Sequence, residues 1–131
     1  MVVLDTGFII DFLNEREEAI NHFQKLLETQ EELSTTVINI YELEVGVRKS
    51  SKKEKNRKTI DEILKIAKVF DIDLKTTNIA ARIFDGLAKK GDLIDDFDIF
   101  IAASCIANND KLLTKNVKDF KRIEELEVET Y

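Results

Sequence analysis

Proline and tryptophan are absent from the chain, cysteine and histidine occur once each, and glycine occurs four times in 131 residues. With Cys105 alone, an internal disulfide and a cysteine-rich zinc site are both excluded. With His22 alone, most Cys–His and Ser–His–Asp schemes fall away, as does a ribonuclease built on two histidines. No segment approaches the roughly 18 consecutive apolar residues of a membrane span. No basic stretch followed by a long apolar one precedes a cleavage site at the start, so secretion is not expected. Without proline, and with so little glycine, no linker divides the chain, and neither a repeat nor a low-complexity tract is visible. These absences lead to the expectation of one cytoplasmic domain over residues 1–131, whose chemistry falls to carboxylates.

Apolar residues make up 44% of the chain and charged residues 35%, an ordinary globular balance and too apolar for disorder. A chain of this size can bury roughly two-thirds of its surface. The net charge is −6, but residues 48–58 (Arg-Lys-Ser-Ser-Lys-Lys-Glu-Lys-Asn-Arg-Lys) carry +6 and the rest carries −12. Such a chain repels nucleic acid at long range, while the local basic segment can hold phosphates at short range. The same segment also reads as a solvated loop and helix start, or as a contact for a protein partner.

Short apolar strands alternate with helical patterns. Strands are expected at Val2–Leu4, Leu33–Val37, Ile72–Leu74 and Lys111–Leu113, with an edge strand at Val128–Thr130. Helices are expected over Gly7–Leu13 with Thr6 as cap, over roughly 16–29, from Ile40 with Leu43 and Val47 inward, over 53–70, and after a cap at Thr77. The stretch Asp98–Asn108 is apolar almost all round and should be a central buried helix. This alternation indicates an α/β fold with a mainly parallel sheet, in which ligands collect beyond the carboxyl ends of strands.

That rule directs attention to the acids. Asp5 follows the first strand, Glu42 lies on the helix after the second, and Asp92, Asp95, Asp96 and Asp98 precede the buried helix. Asp5 and Asp98 also fit helix capping, and Glu42 also fits a solvent-facing acid. If several converge, their repulsion calls for a cation, and oxygen donors favour Mg²⁺ or Mn²⁺ over zinc. Tyr41 and Phe8 read as core residues, Cys105 as an inert buried one and His22 as structural.

Four segments, in order, carry a family resemblance. They are Leu4-Asp5-Thr6, Asn39-Ile40-Tyr41-Glu42-Leu43-Glu44-Val45-Gly46, Gly91 through Ala103 (with Asp98-Ile99-Phe100-Ile101-Ala102-Ala103), and Leu112-Leu113-Thr114-Lys115-Asn116 followed by Phe120. Together they resemble a PIN domain, and within that family a VapC-like ribonuclease toxin of a toxin–antitoxin pair. The resemblance covers nearly the whole chain. It implies a three-layer sandwich with a short, mainly parallel sheet between helices. It implies that Asp5, Glu42 and Asp98 hold Mg²⁺ (or Mn²⁺), with Asp96 or Asp119 adding charge. It places Asn116, an amide, where many relatives carry a fourth acid. Asn39 replaces the usual threonine, and Thr6 and Thr114 are expected to orient carboxylates.

The activity implied is metal-dependent hydrolysis of RNA phosphodiester bonds, leaving 3′-hydroxyl and 5′-phosphate ends. The partners implied are an RNA substrate, a cognate antitoxin and a second copy of the chain, with no membrane. Two alternatives remain. A phosphatase of the haloacid dehalogenase type needs a second aspartate two residues after the first, where Gly7 stands. A non-catalytic PIN module that binds RNA or a protein partner would keep the fold without the reaction.

Overall fold

The computed structural model describes residues 1–131. Its elements are β1 (Val2–Leu4), α1 (Thr6–Leu13), α2 (Glu17–Glu28), β2 (Leu33–Thr36), α3 (Val37–Lys49), α4 (Lys53–Ile66), β3 (Ala67–Phe70), α5 (Leu74–Lys90), α6 (Asp96–Ala107), β4 (Lys111–Leu113), α7 (Val117–Phe120) and β5 (Val128–Glu129). The sheet order is β3-β2-β1-β4-β5, and every neighbouring pair is parallel. Strand side chains alternate between faces. Val3 and Leu112 meet α5, α6 and α7 on one side. Val2, Leu4, Leu33 and Leu113 meet α1 to α4 on the other. The result is the expected three-layer sandwich, with the sheet parallel throughout.

Buried on both faces, β1 is only three residues long, and all three are under 2% exposed. It pairs with β2 on one side and β4 on the other. The chain leaves β1 first toward β2 and later returns to its opposite flank as β4. The carboxyl ends of β1 and β4 therefore flank the point where the winding reverses, the place such sheets use for ligands. Helix α6, apolar almost all round, is central as its composition demands: Ile101, Ala102, Ala103, Ser104 and Cys105 are fully buried.

Several boundaries differ from the expectation, each for a local reason. Helix α4 stops at Ile66, and Ala67–Phe70 forms β3 instead of a last helical turn. These four residues pair one to one with Leu33–Thr36, and that pairing outweighs the helical spacing. Ile72–Leu74 is accordingly not a strand. Asp73 rather than Thr77 caps α5, accepting from the backbone N–H and the hydroxyl of Thr76. Asp5, not Thr6, caps α1. On α2 the buried residues are Ala19 and Leu26, while Ile20 and Leu27 face outward. The left-handed Gly91 closes α5, at a backbone angle (φ 70°) that glycine adopts without strain.

Candidate active site

Asp5 stands at the carboxyl end of β1 and is 8% exposed. Its Oδ1 accepts from the Thr6 backbone N–H at 2.9 Å and from Asn39 Nδ2 at 3.3 Å. Its Oδ2 accepts from the Thr114 hydroxyl at 2.6 Å. The carboxylate thus caps a helix while standing at the sheet's switch point, so the capping role of Asp5 does not remove it from the candidate site. Burial raises its pKa, against the lowering effect of these three hydrogen bonds.

Asn39 ties α3 to β1. It is fully buried in a reciprocal capping box with Thr36: its Oδ1 accepts from the Thr36 N–H and hydroxyl, and its own N–H donates to Thr36 Oγ1. The amide nitrogen then reaches Asp5 and, at 2.9 Å, the Thr6 hydroxyl. Thr6 in turn donates to Glu42 Oε1 at 2.8 Å. Glu42 is thereby held toward Asp5. Its pKa is raised by burial, and further by the charges of Asp5 and Asp95, while the bond from Thr6 opposes the rise.

Asp98 lies in the first turn of α6 and is half-buried. Burial, then Asp5, Asp95, Glu42 and Asp119 in that order, push its carboxyl up to about 7, and no hydrogen bond or cation offsets them. The four charges come from four separate parts of the chain. Asp5, Glu42 and Asp98, 93 positions apart at the extremes, are brought to one locale.

Three expectations need correction. Asp96 is exposed in the first turn of α6, and the charge that acts on Glu42 and Asp98 is that of Asp95. Two residues along a helix is about 200° of rotation, so Asp96 and Asp98 face apart. Asp95 also caps α6, accepting from the Phe97 N–H at 3.1 Å, which frees Asp98 from that role. An acid just before a buried helix was the available signal for it. Asn116 reaches Asp119 with its amide, rather than Asp5, Glu42 or Asp98. Its Nδ2 donates to Asp119 Oδ2 at 3.2 Å, and its backbone N–H donates to the Thr114 hydroxyl that holds Asp5. Tyr41 is not core but 55% exposed, whereas Phe8 is buried as expected.

The basic segment is partly committed within the chain. Arg48 and Arg57 both bind Glu44, and Lys55 faces Glu15 at 3.9 Å. His22 pairs with Glu129 at 2.9 Å across α2 and β5. Burial pushes the Cys105 thiol up, so it stays protonated.

The donor set suits a hard divalent cation: carboxylate oxygens only, and an excess of negative charge that no side chain neutralises. With the side chains as they stand, no three His, Cys, Asp or Glu groups are close enough to clasp one ion.

Comparison with known proteins places this arrangement in a family. The PIN domain family model matches residues 2–126. The chain is 33% identical to ribonuclease VapC2 of Rickettsia felis over 129 residues, 98% of this chain and 96% of the relative. It is 28% identical to ribonuclease VapC1 of Methanocaldococcus jannaschii, over 99% of this chain and 86% of that one. Among solved structures, VapBC2 of Rickettsia felis bound to a DNA fragment from its promoter superposes with a TM-score of 0.89 at 31% identity, covering 100% of this chain and 99% of that one. VapBC-1 of nontypeable Haemophilus influenzae superposes with a TM-score of 0.85 at 27% identity, covering 99% and 98%. By family model, relative and fold alike, the chain belongs to the PIN domain family.

Proposed function

We propose that this single-domain protein is a divalent-metal-dependent endoribonuclease acting as the toxin of a toxin–antitoxin pair. The observation that carries the reading is the convergence of Asp5, Glu42 and Asp98 at the switch point of a parallel sheet, where burial first, and then the neighbouring carboxylates, push the Asp98 carboxyl to about 7. The ribonuclease names of the relatives and the VapBC complexes among the structural neighbours support it. The same reading gives the protein a cognate antitoxin, a homodimeric state and a cytoplasmic location.

Asp5, Glu42 and Asp98 are the residues that would hold Mg²⁺ or Mn²⁺. When bound, such a cation lowers the pKa of water and offsets charge on the phosphate. The chain's own residues prepare the site. Thr114 and Asn39 fix the two oxygens of Asp5, and Thr6 sets the direction of Glu42. Asp98, half-buried and without a partner, supplies the charge that a cation would relieve. Asn116, the remaining residue of the proposed catalytic set, donates its amide to Asp119 and its backbone N–H to Thr114.

The test is incubation of the purified protein with a panel of RNAs and Mg²⁺ or Mn²⁺, beside Asp5→Asn. Cutting by the wild type with 3′-hydroxyl and 5′-phosphate ends, lost in Asp5→Asn, is the expected result. Equal cutting by both proteins would refute the assignment of the site. The amide of Asn116, where many relatives carry a fourth acid, keeps a second reading open, a non-catalytic PIN module that binds RNA or a protein partner. Wild type and variant equally inert across the panel would favour it over the nuclease.

A further inference from the structure

Two large aromatic side chains stand in the open beside the acids. Tyr41 is 55% exposed and Phe97 is 37% exposed. They come from different helices, α3 and α6, which pack against each other. Their ring centroids are 5.6 Å apart with planes at 80°, an edge-to-face pair. Each is the immediate chain neighbour of a site acid: Tyr41 of Glu42, Phe97 of Asp98. Asp95, whose charge bears on both Glu42 and Asp98, holds the Phe97 backbone through the cap of α6.

Neither ring is needed for the core, whose two clusters exclude both. Exposed aromatics gathered into a pair point to a contact with something outside the chain. The surroundings decide what. Asp92, Asp95 and Asp96 line the approach to α6 in the sequence, and all three are exposed. An anionic group meets repulsion here, but the flat face of a nucleobase is uncharged. Base–aromatic stacking tolerates any base and needs one that is free of its own duplex stack. The edge-to-face arrangement leaves ring surface available to take it.

We propose that Tyr41 and Phe97 form a stacking platform for an unpaired base of the RNA strand whose phosphodiester would be held by the divalent cation of Asp5, Glu42 and Asp98. The proposal rests on the nuclease reading for its substrate, and it makes the enzyme selective for single-stranded or looped RNA. Both residues are positioning residues for the strand.

The test uses a short single-stranded RNA carrying 2-aminopurine, with Mg²⁺, on full-length Asp98→Asn protein so that no strand is cut. Stacking quenches the probe. Tyr41→Ala and Phe97→Ala should each weaken binding roughly tenfold and reduce the quench. Tyr41→Phe should restore both, since the ring and not the hydroxyl does the work. The same label inside a fully paired duplex should show no difference among the variants. Because both side chains are exposed, melting curves should confirm that the alanine variants fold.

Alanine variants that bind and quench like the parent overturn the platform, while cutting by the wild type leaves the nuclease reading standing. A ring-dependent quench in a protein that cuts nothing supports the platform and removes the nuclease. If instead sedimentation shows the alanine variants turning a dimer into a monomer with the quench unchanged, the surface belongs to a second copy and the proposal fails.

Discussion

The side chain of Asn39 is wholly buried and uses both ends of its amide. One end completes the capping box with Thr36, and the other donates to Asp5 and Thr6. Asn39→Ala removes the box, leaves the buried N–H and hydroxyl of Thr36 unmet and takes one of the three donors from Asp5, so it should cost about 2–3 kcal/mol in urea unfolding. Its effect on RNA cutting should exceed what instability explains at permissive temperature, because Asp5 and Glu42 lose their common restraint. Asp98 gives a second test at this scale. Its ordinary value of 3.8 is raised to about 7 in the folded protein. Below about pH 4 it is protonated in both states and contributes nothing. From there to about pH 7 the folded protein keeps a proton that the unfolded chain releases, so stability falls as pH rises. The full cost above pH 7 is on the order of 2–4 kcal/mol for this half-buried group in metal-free protein. Asp98→Asn should remove that slope. Asp95→Asn should flatten part of it while keeping the helix cap, since asparagine caps as well as aspartate. A pH profile identical in all three proteins would refute the clustering of charges.

Among the elements, α3 and α4 are pinned by Glu44, which is gripped by Arg57 and by Arg48 and whose carboxyl is held down at about 2. Part of the basic segment thus serves the fold. Glu44→Gln should lower the melting temperature by about 2 °C at low ionic strength, and about 1 M salt should erase the difference. An undiminished difference in high salt would show that packing, not charge, joins these helices. The same region explains which elements could be read from the chain. Strand β1 was legible because a fully buried strand is a continuous apolar run, β4 because two buried leucines lie between polar residues, and α6 because it is apolar almost all round. The α4–β3 junction was not. Ile60, Ile63, Leu64, Ala67 and Phe70 keep helical spacing through it, no glycine or proline breaks the run, and only pairing with Leu33–Thr36 turns the last four residues into a strand. Asp95 was missed in favour of Asp96 for a similar reason. The exact first residue of a helix decides which of two adjacent acids caps it and lies toward the other carboxylates, and local sequence does not fix that residue. The positions of Asp5 and Asp98 were legible because one follows a strand and the other lies at the start of a buried helix, whereas Glu42, inside α3, stood out only within its recognisable segment. Tyr41 was misread as core because its exposure depends on how α3 packs against α6.

Across the whole molecule, the sheet order brings the ends of β1 and β4 together and so sets Asp5 beside Thr114, 109 positions away. The fold thereby concentrates negative charge where its winding reverses, in a chain that is already −6 overall. Folding holds those carboxylates together at a cost, and a cation bound there should recover it. At 100 times its dissociation constant, Mg²⁺ should stabilise the protein by about 2.7 kcal/mol. The pH dependence of that gain separates a true site from diffuse screening. At about pH 8 Asp98 is ionised and free to act as a ligand. Near pH 5.5 it holds a proton, which a cation must displace, so apparent affinity should fall by roughly tenfold for each pH unit below 7. The Mg²⁺-induced rise in melting temperature should therefore be large at the higher pH and small at the lower one at fixed metal concentration. In Asp98→Asn the rise should be small at both, because neither the charge nor its titration remains. A rise of equal size at both pH values, or one that survives Asp98→Asn, would mean that Mg²⁺ screens the acidic surface at large instead of occupying the end of the sheet.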